Sequence, residues 1–359
     1  MLTQRGEQSL HVLAYVLPRE PRVAGIRIRE GHGGHGVNAT RAASIRLEKV
    51  SKQFGATVAV KELTLEIPAG ELVVLIGPSG CGKSTVLRMV NRLIEPTSGR
   101  MFLGEEEITK VDPVQLRRRI GYVIQNVGLF PHQTVRENVA TVPRLVGWPR
   151  ERTKARVNEL MELVGLPPER FADRYPHELS GGQRQRIGVA RALAADPVVL
   201  LMDEPFSAVD PIVRSRLQDE FLRLQSTVGK TIVFVTHDVD EAVRLGDRIA
   251  VLSEGGHLEQ YGSPAEILSH PANDFVADFV GADRGIKRLA VTPIPLDNLR
   301  PLPNEPGKGP WVEASETLHE ALAALLEGDT GWVVVSRDDK PLGILTLDDV
   351  YTALRSVAA

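Results

Sequence analysis

Leu72-Val73-Val74-Leu75-Ile76 runs directly into Gly77-Pro78-Ser79-Gly80-Cys81-Gly82-Lys83-Ser84-Thr85, and the reading of this stretch decides the fold. Five consecutive apolar residues have the length of a buried strand rather than a helix. After the loop, Val86, Leu87, Met89, Val90, Leu93 and Ile94 recur at helical spacing. A GxxxxGK[ST] loop between a strand and an amphipathic helix is the context in which that pattern forms a phosphate cradle, the Walker A motif. Its glycines let successive backbone N–H groups face one anion, and the helix N-terminus adds positive potential. Lys83 supplies a point charge for β/γ-phosphates, and the Ser84 hydroxyl can ligate Mg²⁺.

Downstream, Val198-Val199-Leu200-Leu201-Met202 ends in Asp203-Glu204-Pro205. This reads as a central strand with carboxylates at its C-terminal end, where α/β sheets bind ligands. Asp203 is placed to hold Mg²⁺ and Glu204 to orient or deprotonate an attacking water. Between the two motifs lies Leu179-Ser180-Gly181-Gly182-Gln183, followed by a helical face of Ile187, Ala190, Leu193 and Ala194. Ser180, Gly181, Gly182 and Gln183 therefore open a helix and form a second phosphate site.

With these motifs in this order, the chain resembles the ATP-binding cassette (ABC) ATPases from about Ile45 to Gly262. The resemblance implies an α/β P-loop NTPase cassette with an α-helical signature subdomain, using ATP and Mg²⁺. It carries Gln125, after the apolar strand Ile120 to Ile124, as the Q-loop residue meeting Mg²⁺ and the reactive water. Ser207-Ala208-Val209-Asp210 is similar to the D-loop, and His237 to the switch histidine near the γ-phosphate. Phe54 is similar to the aromatic residue on which adenine stacks. The expected catalytic residues are then Glu204, His237 and Gln125. Expected Mg²⁺ contacts are Ser84, Gln125 and Asp203, and expected ATP contacts are Phe54, the whole loop from Gly77 to Thr85, Ser180 to Gln183, and Asp210. The family also implies a head-to-tail homodimer, each signature serine capping the ATP of the other copy.

The 359 residues carry 43 Lys+Arg against 46 Asp+Glu, so no basic surplus marks a nucleic-acid binder. One cysteine, Cys81, excludes an internal disulfide framework and a Cys-based zinc site. No run approaches the roughly 18 apolar residues of a membrane span. A single cassette without a span resembles the separate ATPase subunits of bacterial importers. Within these the chain is most similar to the quaternary-amine uptake group, for glycine betaine, choline, carnitine or proline betaine. The carrying residues are Ile120 to His132 (IGYVIQNVGLFPH), Tyr175 to Glu178 (YPHE), Thr231 to Ala242 (TIVFVTHDVDEA) and Gly281 to Gly285 (GADRG). The expected partners are integral membrane permease subunits and, indirectly, a substrate-binding protein, with the chain peripheral on the cytoplasmic membrane face and no nucleic acid. Val127 to His132 would form part of the groove receiving the permease, since Leu129 and Phe130 are large apolar residues in a loop. Amino-acid import, and a soluble cassette acting without a permease, are the alternative readings.

The ends of the chain differ from its middle. Residues 1–43, with six arginines and the cluster Gly31-His32-Gly33-Gly34-His35-Gly36, are expected to be a disordered extension of the cassette at 44–282. Six prolines between Pro293 and Pro310 read as a stiff linker over 283–310. Residues 311–359 read as helix, strand, strand and helix, a small α+β unit similar to one cystathionine-β-synthase-type (CBS) motif that ends in Gly343-Ile344-Leu345-Thr346-Leu347-Asp348-Asp349. In that family Thr346 and Asp349 would be the contacts to a regulatory ligand. One such unit has a poor ratio of core to surface, so pairing with a second copy is expected.

Overall fold

In the computed structural model the described residues are 42–125, 128–207, 210–303 and 309–356. The expected disorder of residues 1–43 lies almost wholly outside them. The chain divides into two compact units between Lys287 and Arg288.

The larger unit is built on two sheets. Strands β1 (Ile45–Phe54), β2 (Thr57–Ile67), β4 (Ser98–Leu103) and β5 (Glu106–Glu107) form an antiparallel sheet in the order β2-β1-β4-β5. The second sheet takes β3 (Leu72–Ile76), β6 (Ile120–Val123), β7 (Val199–Asp203), β8 (Thr231–Val235), β9 (Arg248–Ser253) and β10 (His257–Gly262) in the order β10-β9-β3-β8-β7-β6. Every pairing from β9 to β6 is parallel, and β10 closes one edge antiparallel. All residues of β3, β7 and β8 are buried, because a parallel sheet is covered on both faces. That is why these strands stand out in the sequence as unbroken apolar runs.

Helix α1 (Lys83–Val90) follows β3 and packs on β2, β7 and β8, burying Val86, Leu87, Met89 and Val90. Leu47, Leu63, Leu75, Met101 and Leu201 join the same core, so it lies between the two sheets. Helix α2 (Pro113–Arg119) leads into β6, started by Asp112, whose carboxylate accepts from two backbone N–H groups. A helical group follows: α3 (Val135–Leu145), α4 (Arg150–Leu163), α5 (Pro168–Phe171) and α6 (Gly181–Leu193). Here α6 packs on α3, α4 and β6, as the expected helical signature subdomain requires. Helices α7 (Pro211–Val228) and α8 (Val239–Leu245) alternate with β7, β8 and β9, and α9 (Pro264–Ser269) and α10 (Asp274–Val280) finish the unit.

Helix α11 (Arg284–Leu289) carries the chain across the division. The smaller unit holds β11 (Trp311–Glu313), α12 (Leu318–Glu327), β12 (Trp332–Arg337), β13 (Lys340–Thr346) and α13 (Leu347–Ser356), with sheet order β11-β12-β13. The helix, two strands and helix match the sequence reading, and β11 adds a short parallel strand. Part of the segment read as linker differs from that expectation. Leu289 and Ile294 are buried with Leu318, Val333, Val335 and Leu345, and Arg300 exchanges backbone hydrogen bonds with Ile344. The segment is not one extended linker: Leu289 is buried at the end of α11, and a 3-10 turn at Leu296–Asn298 follows before Arg300 pairs with the sheet.

Candidate functional site: a phosphate loop facing two carboxylates

The loop after β3 is shaped by close backbone packing. Gly77 has φ 152°, and a Cβ there would come 2.1 Å from the Leu252 carbonyl oxygen. Only glycine fits that approach of two backbones. Lys83, 6 % exposed, donates from Nζ to the carbonyls of Gly77 at 2.7 Å and Pro78 at 2.9 Å. The ammonium therefore stands inside the curve of the loop. Cys81 is 1 % exposed and within 3.7 Å of that ammonium, a small side chain facing the protein interior.

The parallel register brings the remaining groups to the same edge. Asp203, the last residue of β7, is level with Val235 at the end of β8. Glu204 and His237 then leave their strands at the C-terminal edge of the sheet. Ser84 donates its hydroxyl to Asp203 Oδ1 at 2.7 Å across 119 residues of chain. Asp203 is nearly buried, so its charge acts in a medium of low dielectric. On its other side Tyr122 of β6 donates to Oδ2 at 3.5 Å. Burial, and then the charge of Asp203, push the Tyr122 hydroxyl above its ordinary pKa, so it stays a neutral donor.

Glu204 is held between two other groups of the site. Gln125 Nε2 donates to Oε2 at 2.9 Å, and His237 Nδ1 lies 3.5 Å from Oε1. Its backbone sits at φ 45°, in the left-handed region that a glutamate rarely adopts. Such a conformation costs about 1–3 kcal/mol and persists where the surroundings over-determine it. Here the Glu204 N–H donates to the Val235 carbonyl at 3.0 Å, which fixes the turn and presents the carboxylate beside His237.

The other expected residues occupy separate places. Phe54 ends β1 with 48 % of its surface exposed, and Lys52 Nζ lies 4.8 Å from its ring. Ser180 caps α6 through a reciprocal pair: its hydroxyl accepts from Gln183 N–H at 3.2 Å, and its own N–H donates to Gln183 Oε1 at 2.9 Å. A Cβ on Gly181 would meet nothing within 4 Å, whereas one on Gly182 would press on Val213 of α7 at 3.2 Å. The signature turn thus presents one open glycine face at the start of α6. Asp210 caps α7, accepting from Val213 N–H at 3.1 Å. Phe130 is 40 % exposed in the loop before α3, against the half-buried Leu129. Ala208 and Val209 of the D-loop, and Val127, lie outside the described residues.

Tyr122 is the residue that sequence reasoning missed. Its only signal is a polar tip inside the apolar run Ile120 to Ile124, next to the strand carrying Asp203.

The donor set around Ser84 and Asp203 suits a hard divalent cation. A hydroxyl and a carboxylate are the hard oxygen donors that Mg²⁺ takes alongside phosphate oxygens, in contrast to a cage of many side chains.

Comparison with known proteins agrees with this geometry. The ABC transporter family model matches residues 60–207, and the CBS domain model matches residues 306–356. The chain is 57 % identical over 244 residues to the glycine betaine/carnitine/choline transport ATP-binding protein OpuCA of Bacillus subtilis. That match covers 68 % of this chain and 64 % of the relative, so it spans just under two thirds of OpuCA. It is 48 % identical over 302 residues to the choline transport ATP-binding protein OpuBA of Bacillus subtilis, covering 83 % of this chain and 77 % of the relative. Among solved structures, the dimeric post-hydrolysis state of the ATP-binding cassette MJ0796, bound to ADP and Pi, is 34 % identical, with TM-score 0.55. It covers 61 % of this chain and 98 % of that one. A phosphate loop facing two carboxylates, a capped signature helix and these relatives lead to one assignment: the chain belongs to the ABC transporter family, an ATP-binding cassette with a C-terminal CBS domain.

Proposed function

We propose that this chain is the ATPase subunit of an importer of quaternary amines such as glycine betaine, choline or carnitine, working as a homodimer on the cytoplasmic face of a membrane with integral permease subunits. The observation that carries the catalytic part is the placement of Glu204 between Gln125 and His237, beside the Ser84–Asp203 pair. The substrate class is supported by the names of the relatives. No helix among the described residues is long and apolar enough to cross a membrane, which fits a motor acting through a permease.

In this reading the Gly77–Thr85 backbone and Lys83 hold the β- and γ-phosphates, and Phe54 stacks on adenine. Ser84, Asp203 and Gln125 would hold Mg²⁺, which would supply charge to stabilise the phosphate oxygens. Glu204 accepts the proton of the attacking water, and its two neighbours keep the carboxylate aimed at that water. His237 is the group nearest to Glu204 that can report whether a γ-phosphate is present. Ser180 to Gln183 meet the ATP held by a second copy through the exposed Ser180–Gly181 side, with Asp210 at the same seam. ATP then glues the two copies and hydrolysis releases them. The loop with Leu129 and Phe130 receives the permease.

Replacing Glu204 with Gln tests the core of this scheme. ATP binding is expected to persist, turnover to fall, and a closed dimer to accumulate. Near-normal turnover would remove Glu204 from its role as base.

A further inference from the structure

Glu241 is a buried carboxylate that the hydrolysis scheme does not use. It lies in α8, four residues after His237, and is 6 % exposed. Its Oε1 accepts from Gln218 Nε2 of α7 at 2.9 Å, and Gln218 is as deeply buried. The Gln218 amide is oriented from its other side, where its oxygen accepts from Arg244 Nη1 at 3.3 Å. Arg244 is itself fixed on α7, donating to Ser215 at 2.9 Å and to Asp219 at 2.7 Å.

The same network holds the turn that carries His237. The histidine side chain is 59 % exposed and its Nδ1 lies 3.5 Å from Glu204, so its direction follows the backbone of its turn. Before it, the Thr236 hydroxyl accepts from the Asp238 N–H at 3.1 Å. After it, the Asp238 carboxylate caps α8, accepting from the Asp240 and Glu241 N–H groups at 2.9 and 3.1 Å. Asp238 also lies 3.7 Å from Arg214 of α7. Burial pushes the Glu241 carboxyl above its ordinary pKa, against the pull of hydrogen bonds from Thr236 and Gln218. Both neighbours of His237 are thus tied to α7, Asp238 through Arg214 and Thr236 through Glu241 and Gln218. Replacing both partners of a buried hydrogen bond by apolar groups of the same shape is nearly neutral for stability. What the buried pair adds is a fixed direction for the turn.

We infer that Glu241 is a positioning residue for hydrolysis: with Gln218 it sets the turn that aims His237 at Glu204 and at the γ-phosphate. The inference rests on the role proposed above for His237.

The test uses the full-length protein with Mg²⁺ and ATP. The double variant Glu241→Leu with Gln218→Leu removes both partners and leaves neither buried group unpaired. Its denaturant midpoint and its KM for ATP are expected to stay at the wild-type values while kcat falls about tenfold. Gln218→Met, which keeps the volume and removes only the donor, carries the same expectation for kcat. Glu241→Gln, which keeps an acceptor for Gln218, should retain kcat within about twofold. In a His237→Ala background, followed in single turnover, the double apolar change should lower the rate no further, because it acts through the histidine. A wild-type kcat in the apolar variants, a Glu241→Gln rate as low as theirs, or a further loss without His237 would overturn the inference alone. Near-normal turnover of His237→Ala would instead overturn the histidine's role in the proposed function, and this inference with it.

Discussion

A side-chain hydroxyl donates to an aspartate in each of the two units, with different consequences. In the larger unit the Ser84 hydroxyl donates to Asp203 at 2.7 Å, and in the smaller one the Thr346 hydroxyl donates to Asp349 at 2.7 Å. The first pair joins residues 119 apart, brought together by two parallel strands of the central sheet. The second joins residues three apart. Thr346 stands just before α13, and the Asp349 carboxylate reaches back to its N–H at 2.9 Å, as in a helix capping box. Arg300 completes that cluster with an ion pair at 2.9 Å. A long-range pair at a sheet edge assembles a site. A local pair closed by an arginine supplies a helix cap and ties an extended segment to it, whatever ligand it also meets.

Substitutions at the two pairs and around them should differ in the size and kind of their effects. The largest effect is expected for Glu204→Gln, where loss of a general base lowers turnover by about 10²–10⁴-fold while ATP affinity is kept. Steady-state hydrolysis and a nucleotide-binding titration read both quantities. Gly77→Ala comes next, since its Cβ would meet the Leu252 carbonyl at 2.1 Å. Overpacking of this kind costs about 1–3 kcal/mol, and a denaturant midpoint should fall accordingly. Asp349→Asn should cost about 0.5–2 kcal/mol in the smaller unit, as lost caps do, with little change in the hydrolysis site. Phe54→Ala should be smallest, raising the KM for ATP by about two- to tenfold for the lost stacking.

Asp349 also gives a pH signature. Burial pushes its carboxyl up, but hydrogen bonds from Thr346 and Arg300 outweigh this and hold it below the ordinary carboxylate value. A depressed folded pKa contributes stability above the unfolded value of about 3.9 and loses it as pH falls through the folded one. Amide-exchange protection across α12 and β12 should therefore decline on acidification below that range. The Asp349→Asn protein should lack that contribution throughout.

How much could be read in advance follows from the same contrast. The phosphate loop, the Asp203-Glu204 strand end and the signature turn are contiguous in sequence, and their strands are buried on both faces, so runs such as Leu72 to Ile76 announced themselves. Thr346 and Asp349 stood out only through the resemblance to a CBS motif, as ligand contacts; that they pair at one helix start is what the structure adds. What stayed hidden depends on register between distant strands. Tyr122 meets Asp203 only because β6 lies beside β7. Ile294 sits between Pro293 and Pro295 and reads as linker, and only the tertiary packing turns it and Leu289 into core.

The central claim is that two copies close on ATP, each offering its signature turn to the loop of the other. The most direct measurement is light scattering of the full-length Glu204→Gln protein with Mg²⁺ and ATP. A mass of twice the 39.3 kDa chain is expected, returning to one chain mass when Ser180→Arg is added. A Glu204→Gln protein that binds ATP yet stays at one chain mass would contradict the claim.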